Sequence, residues 1–260
     1  MTTLSSAAAV LRCYSADRCD LTVTQVSGLL GMPKSNASRL LRAMAACGLL
    51  EPVGASKRYR PGLLLHEAGA VFRTSSALTQ RADEVVARVA AASGHTGYVS
   101  RRDGVEMVAV TDHPGMHALR VASSIGRRLN AGASATGRSL LARLPDAEIR
   151  ALFTPFPTPP SANAPSNADE LLRRVEAVRR RGFACAIDEA NRGVGAVAVA
   201  VGDPQTQSEV SLCITFPAAL MNEAERIELA RELHEGAAAI AALTGDARFP
   251  AAFRAEAGAA

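Results

Sequence analysis

The sequence predicts an α+β protein of two domains, a small helical domain first and then a larger domain built on an antiparallel sheet. A chain of 260 residues is longer than one hydrophobic core usually supports, so two domains are expected. The first quarter has helical periodicity. The rest has alternating strands grouped with helices, a pattern typical of an antiparallel α+β sheet.

Basic charge is concentrated in the first quarter of the chain. The net charge is +4, but residues 1–60 carry eight basic and three acidic residues, a net +5, and residues 61–260 carry a net −1. A basic segment on a near-neutral body suggests contact with a polyanion such as nucleic acid. On charge alone, an ordinary solvated surface explains the excess equally well.

The composition indicates a soluble, cytoplasmic protein. Hydrophobic residues make up 48% and charged residues 21% of the chain, and no apolar run approaches the ~18 residues that suggest a membrane span. The first 20 residues lack the pattern of a secretory signal. Five scattered cysteines without a CxxC pair argue against a disulfide framework and a structural zinc site.

Three helices are predicted in the first domain. The first covers residues 4–15, where apolar residues recur at helical spacing. Thr22 and Gln25 form a capping-box pattern that starts the second helix, and Gly31 ends it. Pro33 suits the first turn of the third helix. Two short helices joined by a glycine-containing turn predict a helix-turn-helix whose second helix reads DNA.

A basic hairpin follows the third helix. The runs LLEPV and KRYRP read as two strands, which completes a winged helix-turn-helix over residues 1–61. Asn36, Arg39 and Arg42 have side chains suited to base edges, and the hydroxyls and lysines suit phosphates. The predicted DNA contacts are Thr24, Lys34, Ser35, Asn36, Ser38, Arg39, Arg42, Lys57, Arg58 and Arg60. A winged helix that binds a protein partner is the alternative.

The remaining chain divides into a connector, a second domain and a tail. Residues 62–76 predict an apolar linker helix, which could pack on its own domain or on the same helix of a second chain. The second domain spans residues 77–250, and residues 251–260 are predicted to be a flexible tail. The predicted strands are TGYVS, VEMVAVT, ALRVASS, FACAID, GAVAVAV and EVSLCITF.

Three motifs resemble catalytic or cofactor sites but lack the required context. GVGAVA at 193–198 matches a dinucleotide fingerprint, yet it continues as a strand instead of opening a helix. GASATG at 132–137 lacks the last glycine of a nucleophile elbow. Asp112, His113 and His117 flank a Pro-Gly turn, where polar residues are ordinary. The sequence therefore predicts no enzyme, no cofactor and no metal site.

Small residues in the second domain predict a ligand pocket. One group precedes a helix, where free backbone N–H groups favour an anion: Gly132, Ala133, Ser134 and Thr136. A second group falls on three successive strands: Asp188, Ala196, Cys213 and Thr215. Together they suggest space for a small carboxylated molecule. From composition alone, small residues that let helices pack closely on the sheet are an equal explanation.

Over essentially its whole length the chain resembles the isocitrate lyase regulator (IclR) type of bacterial transcription factor. The matching stretches are LTVTQVSGLLGMPKSNASRLLRAMAACGLLE, ASATGRSLLARLP, VRRRGFACAIDEANRGVGAVAVAV and EVSLCITFP. The resemblance implies a winged helix-turn-helix, a linker helix and a GAF-like domain that binds a small metabolite. It also implies a homodimer or tetramer that binds palindromic operators in double-stranded DNA.

The family's pocket positions fall on Gly132, Ala133, Asp188, Ala196, Cys213 and Thr215. Ala196 stands where a cysteine is frequent, Cys213 where serine is usual and Ala200 where proline is common. Residues 130–133 also differ from the family's Pro-Leu-containing run. The resemblance implies a ligand-responsive repressor or activator without catalytic activity. The alternatives are a small-molecule enzyme and a partner-binding winged-helix protein.

Overall fold

The structure is a computed structural model that describes residues 2–15, 18–54, 56–122, 125–250 and 252–255. The chain divides into two compact units, Met1–Ser75 and Ser76–Ala260. Their secondary structure confirms the predicted α+β class. Among the described residues, no helix is both long enough and apolar enough to cross a membrane.

The described residues of the first unit form four helices and a small antiparallel sheet in the order β1-β3-β2. Its elements are α1 (Thr3–Leu11), β1 (Leu21–Thr22), α2 (Val23–Leu30), α3 (Lys34–Ala46), β2 (Leu50–Pro52), β3 (Arg58–Pro61) and α4 (Leu63–Thr74). The apolar faces of α1, α2 and α3 enclose one core with Leu21 and Leu50. The hairpin β2-β3 is the predicted wing.

In the first unit, α2 begins and ends at the residues that the sequence predicted, and α3 begins close to its predicted start. The Thr22 hydroxyl accepts the Gln25 N–H, and the Gln25 side chain accepts the Thr22 N–H, so the capping box is confirmed. Gly31 ends α2 at φ 61°, a left-handed conformation that glycine adopts without strain. Pro33 is the N-cap of α3, one position before the predicted first turn. The two-residue strand β1 pairs with β3 and was not predicted.

The second unit is built on a six-stranded antiparallel sheet in the order β6-β5-β4-β9-β8-β7. Its elements are α5 (Ala77–Ser93), β4 (Thr96–Asp103), β5 (Glu106–Ala109), β6 (Arg128–Asn130), α6 (Ala135–Leu141), α7 (Asp146–Leu152), α8 (Ala168–Arg181), β7 (Ala184–Ile187), β8 (Val194–Asp203), β9 (Ser208–Pro217), the 3₁₀ turn Ala218–Leu220 and α9 (Glu223–Thr244).

The two faces of the sheet carry different side chains. On β9, Leu212 and Ile214 point to the face that α5 and α9 cover, and they form the larger core. Cys213 points to the opposite face, where Ala196 and Ala198 of β8 meet Ala135 of α6. The predicted alternation along β9 is confirmed. Small side chains on the second face leave space between the sheet and α6.

The prediction of a strand at ALRVASS is wrong. Residues 118–122 form no strand, Leu119 is exposed, and residues 123–124 lie outside the described residues. The strand beside β5 is instead β6, in which Asn130 pairs with Glu106. Arg128 of β6 binds Asp103 and Glu106 at 2.7 and 2.8 Å. Ion pairs across the strands select this register, and apolar alternation alone does not reveal them.

Part of the predicted tail packs against the end of α8 and the residues that follow it. The Phe253 ring stacks on Phe183 with centroids 5.2 Å apart, and the Arg254 N–H donates to the Arg181 carbonyl at 3.1 Å. Residues 251 and 256–260 lie outside the described residues.

Candidate nucleic-acid interface and ligand pocket

Helix α3 separates its apolar and polar side chains onto opposite faces. Ala37, Leu40, Leu41 and Met44 are buried in the core of the first unit. The residues predicted to contact DNA point outward: Lys34, Ser35, Asn36, Arg39 and Arg42 are exposed, and Ser38 is half-buried. No side chain caps the first turn of α3, a helix that the structure describes in full, so its N–H groups can meet a phosphate. Thr24 on α2 is also exposed.

The cations of α3 make no ion pair with a described carboxylate within 4.0 Å. Arg42 donates from Nε to the Ser38 carbonyl at 3.4 Å, and this acceptor is neutral. The full charges of Lys34, Arg39 and Arg42 are therefore available on this surface.

The wing offers less free charge than its sequence KRYR suggests. Arg58 binds Asp20 through two guanidinium nitrogens, with Nε at 2.7 Å from Oδ1. Arg60 binds Glu51 on the neighbouring strand, with Nε at 2.5 Å from Oε1. Lys57 is exposed and pairs with no carboxylate in the described part of the chain. Among the described residues, Lys57 is thus the one predicted wing cation whose charge has no carboxylate partner.

The second unit contains a cavity on the sheet face that α6 covers. Its empty space is about 610 Å³, which includes solvent at its open mouth, and all six strands of the sheet contribute to its floor. Its lining is mainly apolar: Tyr98, Met107, Ala109, Val121, Ala122, Leu129, Ala135, Ala186, Ala190, Val194 and Ala196. The polar lining residues are Ser100, Arg127, Ser134, Glu189, Asn191 and Thr215. A few polar groups on an apolar wall are typical of a small-molecule site.

Three of the eight predicted pocket residues line this cavity: Ser134, Ala196 and Thr215. Ser134 is the N-cap of α6, where its hydroxyl accepts the Gly137 N–H at 3.1 Å. Ala196 and Thr215 are register partners on β8 and β9. They share the cavity floor because antiparallel partners point to the same face of the sheet.

The other three residues of the predicted loop are buried behind the cavity lining. A Cβ on Gly132 would meet Phe153 at 3.2 Å, so this glycine faces the core beneath α7 and α8. The Ala133 N–H donates to the Asn130 side chain at 3.1 Å. The Thr136 hydroxyl donates to Ser134 Oγ at 3.2 Å. The loop thus uses several of its polar groups internally.

Asp188 and Cys213 support the cavity from outside its lining. Asp188 has φ 57°, and its carboxylate accepts the Gly193 N–H at 2.5 Å, which holds the loop between β7 and β8. Cys213 is fully buried, and burial raises the pKa of its thiol to about 12. The thiol therefore stays protonated at neutral pH.

Sequence reasoning missed a buried ion cluster beside the cavity. Both oxygens of Glu189 bind Arg138, at 2.5 and 2.8 Å, and Oε2 also binds Arg174 at 2.8 Å. The Arg138 and Glu189 side chains are only 3% and 8% exposed. A signal existed, because Arg138 and Arg143 interrupt the apolar pattern of GRSLLARL, and an arginine that is buried requires an acidic partner.

Sequence reasoning also missed Arg127, which lies in the loop before β6 and lines the cavity. It follows the segment that was wrongly predicted as a strand. Nothing in the sequence near Arg127 indicates that this loop returns to the sheet beside β5, with the Arg127 side chain directed to Asn191.

Two family models match most of the chain. The model for the bacterial transcriptional regulator IclR C-terminal region matches residues 72–242, and the model for the IclR helix-turn-helix domain matches residues 3–54. The HTH-type transcriptional regulator XynR of Escherichia coli K12 is 27% identical over 241 residues, which cover 91% of this chain and 94% of XynR.

Solved structures share the fold. An IclR transcriptional regulator from Silicibacter sp. TM1040 has a TM-score of 0.83 at 20% identity and covers 96% of this chain and 100% of its own. An IclR homologue from Microbacterium hydrocarbonoxydans, solved in complex with 4-hydroxybenzoate, has a TM-score of 0.76 at 20% identity. The match covers 95% of this chain and 99% of that one.

Proposed function

The chain belongs to the IclR family of bacterial transcriptional regulators, and on that premise we propose that a small carboxylate bound in the second unit controls its operator binding. The proposal is supported by the presence of two features in one chain. The first unit presents an exposed polar helix face, and the second contains a largely apolar cavity. Such a protein acts in the cytoplasm on double-stranded DNA.

In the proposed DNA complex, α3 enters the major groove. Asn36, Arg39 and Arg42 contact base edges, and Lys34, Ser35 and Ser38 contact the phosphate backbone. Exposure of these side chains supports this docking, because the buried residues of α3 fix which face is presented. Thr24 lies on α2 and Lys57 in the turn between β2 and β3, and both would contact the phosphate backbone.

A gel shift on the DNA upstream of the chain's own gene tests operator binding. We expect a salt-sensitive, sequence-specific complex that Arg39→Ala and Arg42→Ala each weaken by about 1–3 kcal/mol. Arg73→Ala on the exposed end of α4 is the matched control and should bind as the wild type does. Absence of any specific complex, or equal binding by all of these variants, would reject the proposed docking and favour a winged helix that binds a protein.

For the effector, the cavity lining favours a mostly apolar molecule with one polar end. The structural relative that holds 4-hydroxybenzoate supports a carboxylic acid as the ligand class for this chain as well. A thermal-shift panel of small carboxylates tests the idea on the full chain. A stabilising acid should lose its effect in Ala196→Phe, which fills the cavity floor, and retain it in the surface variant Ala46→Ser.

A two-fold dimer through α4 is the proposed assembly. This helix buries none of its residues, all of which the structure describes, although Leu64 and Val71 are apolar and 44% and 68% exposed. A second copy of the same helix would cover them, and a dimer would place two reading helices on a palindromic operator. Two such dimers can pair into a tetramer. The family consists of regulators and not of enzymes, and we propose no catalytic activity.

A further inference from the structure

We propose that Arg127 anchors the carboxylate of the effector, and that the effector is a monocarboxylic acid with an apolar body. This inference rests on the proposed function, since it requires the cavity of the second unit to be the effector site. It assigns the recognition of charge to a residue that the sequence pattern of the pocket did not include.

Arg127 is half-buried in the cavity wall, and both of its hydrogen-bond acceptors among the described residues are neutral. Nη1 donates to the Ala122 carbonyl at 3.0 Å, and Nη2 donates to the Asn191 side-chain oxygen at 3.3 Å. No carboxylate in the described part of the chain lies within 4.0 Å of its guanidinium. Arg127 therefore brings an uncompensated positive charge to the cavity, with a planar donor pair that suits a carboxylate.

The other charges at the cavity compensate each other. Glu189 is bound by Arg138 and Arg174, and Arg174 also binds Glu170 at 2.5 Å. These four side chains carry two positive and two negative charges, so the cluster is neutral. A bound anion would therefore meet the net charge of Arg127.

One further acid lies near this part of the second unit. Burial raises the pKa of the Tyr98 phenol, and among the smaller electrostatic effects Arg127 lowers this pKa while Asp112 raises it. Asp112 does not line the cavity, whereas Arg127 and Tyr98 both do. A carboxylate inside the cavity can therefore contact Arg127, and the like charge of Asp112 lies outside the lining.

The backbone loop before α6 is the competing anchor, and it is partly occupied. The Ala133 N–H donates to Asn130, and the Gly137 N–H donates to Ser134. With these groups used inside the protein, the guanidinium of Arg127 is the stronger partner for a carboxylate.

The rest of the lining defines the body of the ligand. Met107, Leu129 and Val194 form apolar walls, and the Thr215 hydroxyl already donates to the Thr96 carbonyl at 3.3 Å. In the described lining, Arg127 is the one cation without a carboxylate partner. A second carboxylate on the ligand would be buried against these walls without a counter-charge, at a large cost in free energy. Aromatic and branched aliphatic monocarboxylates fit this lining, and dicarboxylates do not.

Isothermal titration of the full chain with matched acids and amides tests the proposal. The probes are benzoate and benzamide, and 4-methylpentanoate and its amide, with succinate as the dicarboxylate. In the wild type each acid should bind about 10- to 100-fold more tightly than its amide, the factor that a charge-assisted pair contributes. Succinate should bind more weakly than either monocarboxylate.

Arg127→Met should lower acid affinity to the level of the amide and leave amide affinity within about twofold. The matched control is Arg102→Met, because Arg102 also donates to a backbone carbonyl, that of Gly104 at 3.2 Å, but lies outside the cavity. This control should keep the full preference for the acid. Arg127→Gln provides a second neutral variant, with an amide donor for the Ala122 carbonyl, in case the methionine variant folds poorly.

The possible results separate the two proposals. Equal binding of acid and amide in the wild type, or an acid preference that persists in both neutral variants, would overturn the role of Arg127 while the cavity remains the effector site. If no probe binds the wild-type chain, both the role of Arg127 and the apolar-carboxylate class are overturned. Tight binding of succinate alone would also contradict the proposal.

Discussion

At the scale of single residues, Lys57 and Arg58 are neighbours on the wing, yet the fold gives their charges different surroundings. Arg58 binds Asp20, and the two side chains are 39% and 29% exposed. Hydrogen bonding to Asp20 raises the pKa of Arg58. Lys57 has no such partner among the described residues. The sequence KRYR predicted equal phosphate contacts, because it does not show where Asp20 folds.

This difference predicts unequal salt dependence for two alanine variants. Lys57→Ala should lower DNA affinity on every sequence and reduce the slope of log affinity against log salt by about one. Arg58→Ala should change this slope less, because its charge is already partly neutralised by Asp20, and it should have little effect on the free energy of unfolding. Fluorescence anisotropy across a salt series measures both slopes. Equal slopes for the two variants would contradict the structural role of Arg58.

His234 connects the last helix to the end of the chain. Its Nε2 lies 3.0 Å from the Pro250 carbonyl oxygen, and its ring contacts Phe249 and Phe253. Burial lowers the pKa of this imidazole below the ordinary value of 6.5. Burial and the neighbouring His117 also lower the pKa of His95.

These shifts predict that stability falls on mild acidification. Since the folded-state pKa of His234 lies below its unfolded value, the unfolded chain binds more protons as pH falls through about 6.5. The free energy of unfolding should decrease between about pH 7 and pH 5, by at most about 1.4 kcal/mol per pH unit for each such histidine. Glu170, whose pKa is lowered to about 2, adds to the loss only at pH values near and below 4.5. Urea unfolding at a series of pH values measures the slope.

His234→Phe should flatten this pH dependence, because phenylalanine keeps the aromatic packing but does not titrate. The exposed His66 on α4 is the matched control, and His66→Phe should retain the wild-type slope. An unchanged slope in His234→Phe would show that another group governs acid stability.

The candidate site was only partly predictable residue by residue. Ser134 was found because it precedes a predicted helix, and Ala196 and Thr215 were found because family positions and strand alternation are local patterns. Arg127 was missed because its loop reaches the cavity through tertiary folding and carries no periodic signal. Asp188 was assigned to the lining on sequence grounds, but its left-handed backbone directs its carboxylate to the Gly193 N–H. Backbone geometry of this kind is set by the loop as a whole.

At the scale of elements, capping residues and long periodic segments were the reliable signals. The helices α2, α8 and α9 begin directly after Thr22, Asn167 and Asn222. The side chain of each of these N-cap residues accepts the backbone N–H three residues later. The strands β1 and β6, of two and three residues, were missed. Such short strands form because they hydrogen-bond to β3 and β5, and their own sequences are too short to show a period.

Helix α4 has an apolar stripe that predicts how the chain associates. Leu64, Ala68 and Val71 follow the spacing i, i+4, i+7 and therefore share one side of the helix. His66 lies on the opposite side of α4. If α4 pairs with a second copy of itself, changes on these two sides should have different effects.

Val71→Glu should weaken the dimer by at least about 2 kcal/mol, because it buries a carboxylate in place of an apolar side chain. His66→Glu introduces the same charge on the opposite side and should leave the dimer intact. Sedimentation equilibrium measures both constants. A wild-type chain that is monomeric at all concentrations, or equal effects of the two changes, would rule out this interface.

At the scale of the whole molecule, the two units have the separate properties that a ligand-controlled regulator needs. The first unit holds the excess positive charge and the exposed face of α3, and the second holds the cavity. The sequence predicted this division from charge and periodicity, which are summed over many residues and tolerate local errors. An effector changes operator affinity only if its binding free energy differs between the DNA-bound and DNA-free protein.

This requirement predicts a reciprocal coupling between the two ligands. If benzoate lowers operator affinity by some factor, saturating operator DNA must lower benzoate affinity by the same factor, typically about 5- to 150-fold. Anisotropy of a labelled operator with and without benzoate gives the first factor, and calorimetry with free and operator-saturated protein gives the second. Arg127→Met should reduce the effect of a fixed benzoate concentration on operator affinity, since it weakens the binding that carries the coupling. Two factors that differ in wild-type protein would mean that benzoate acts on the complex outside the cavity.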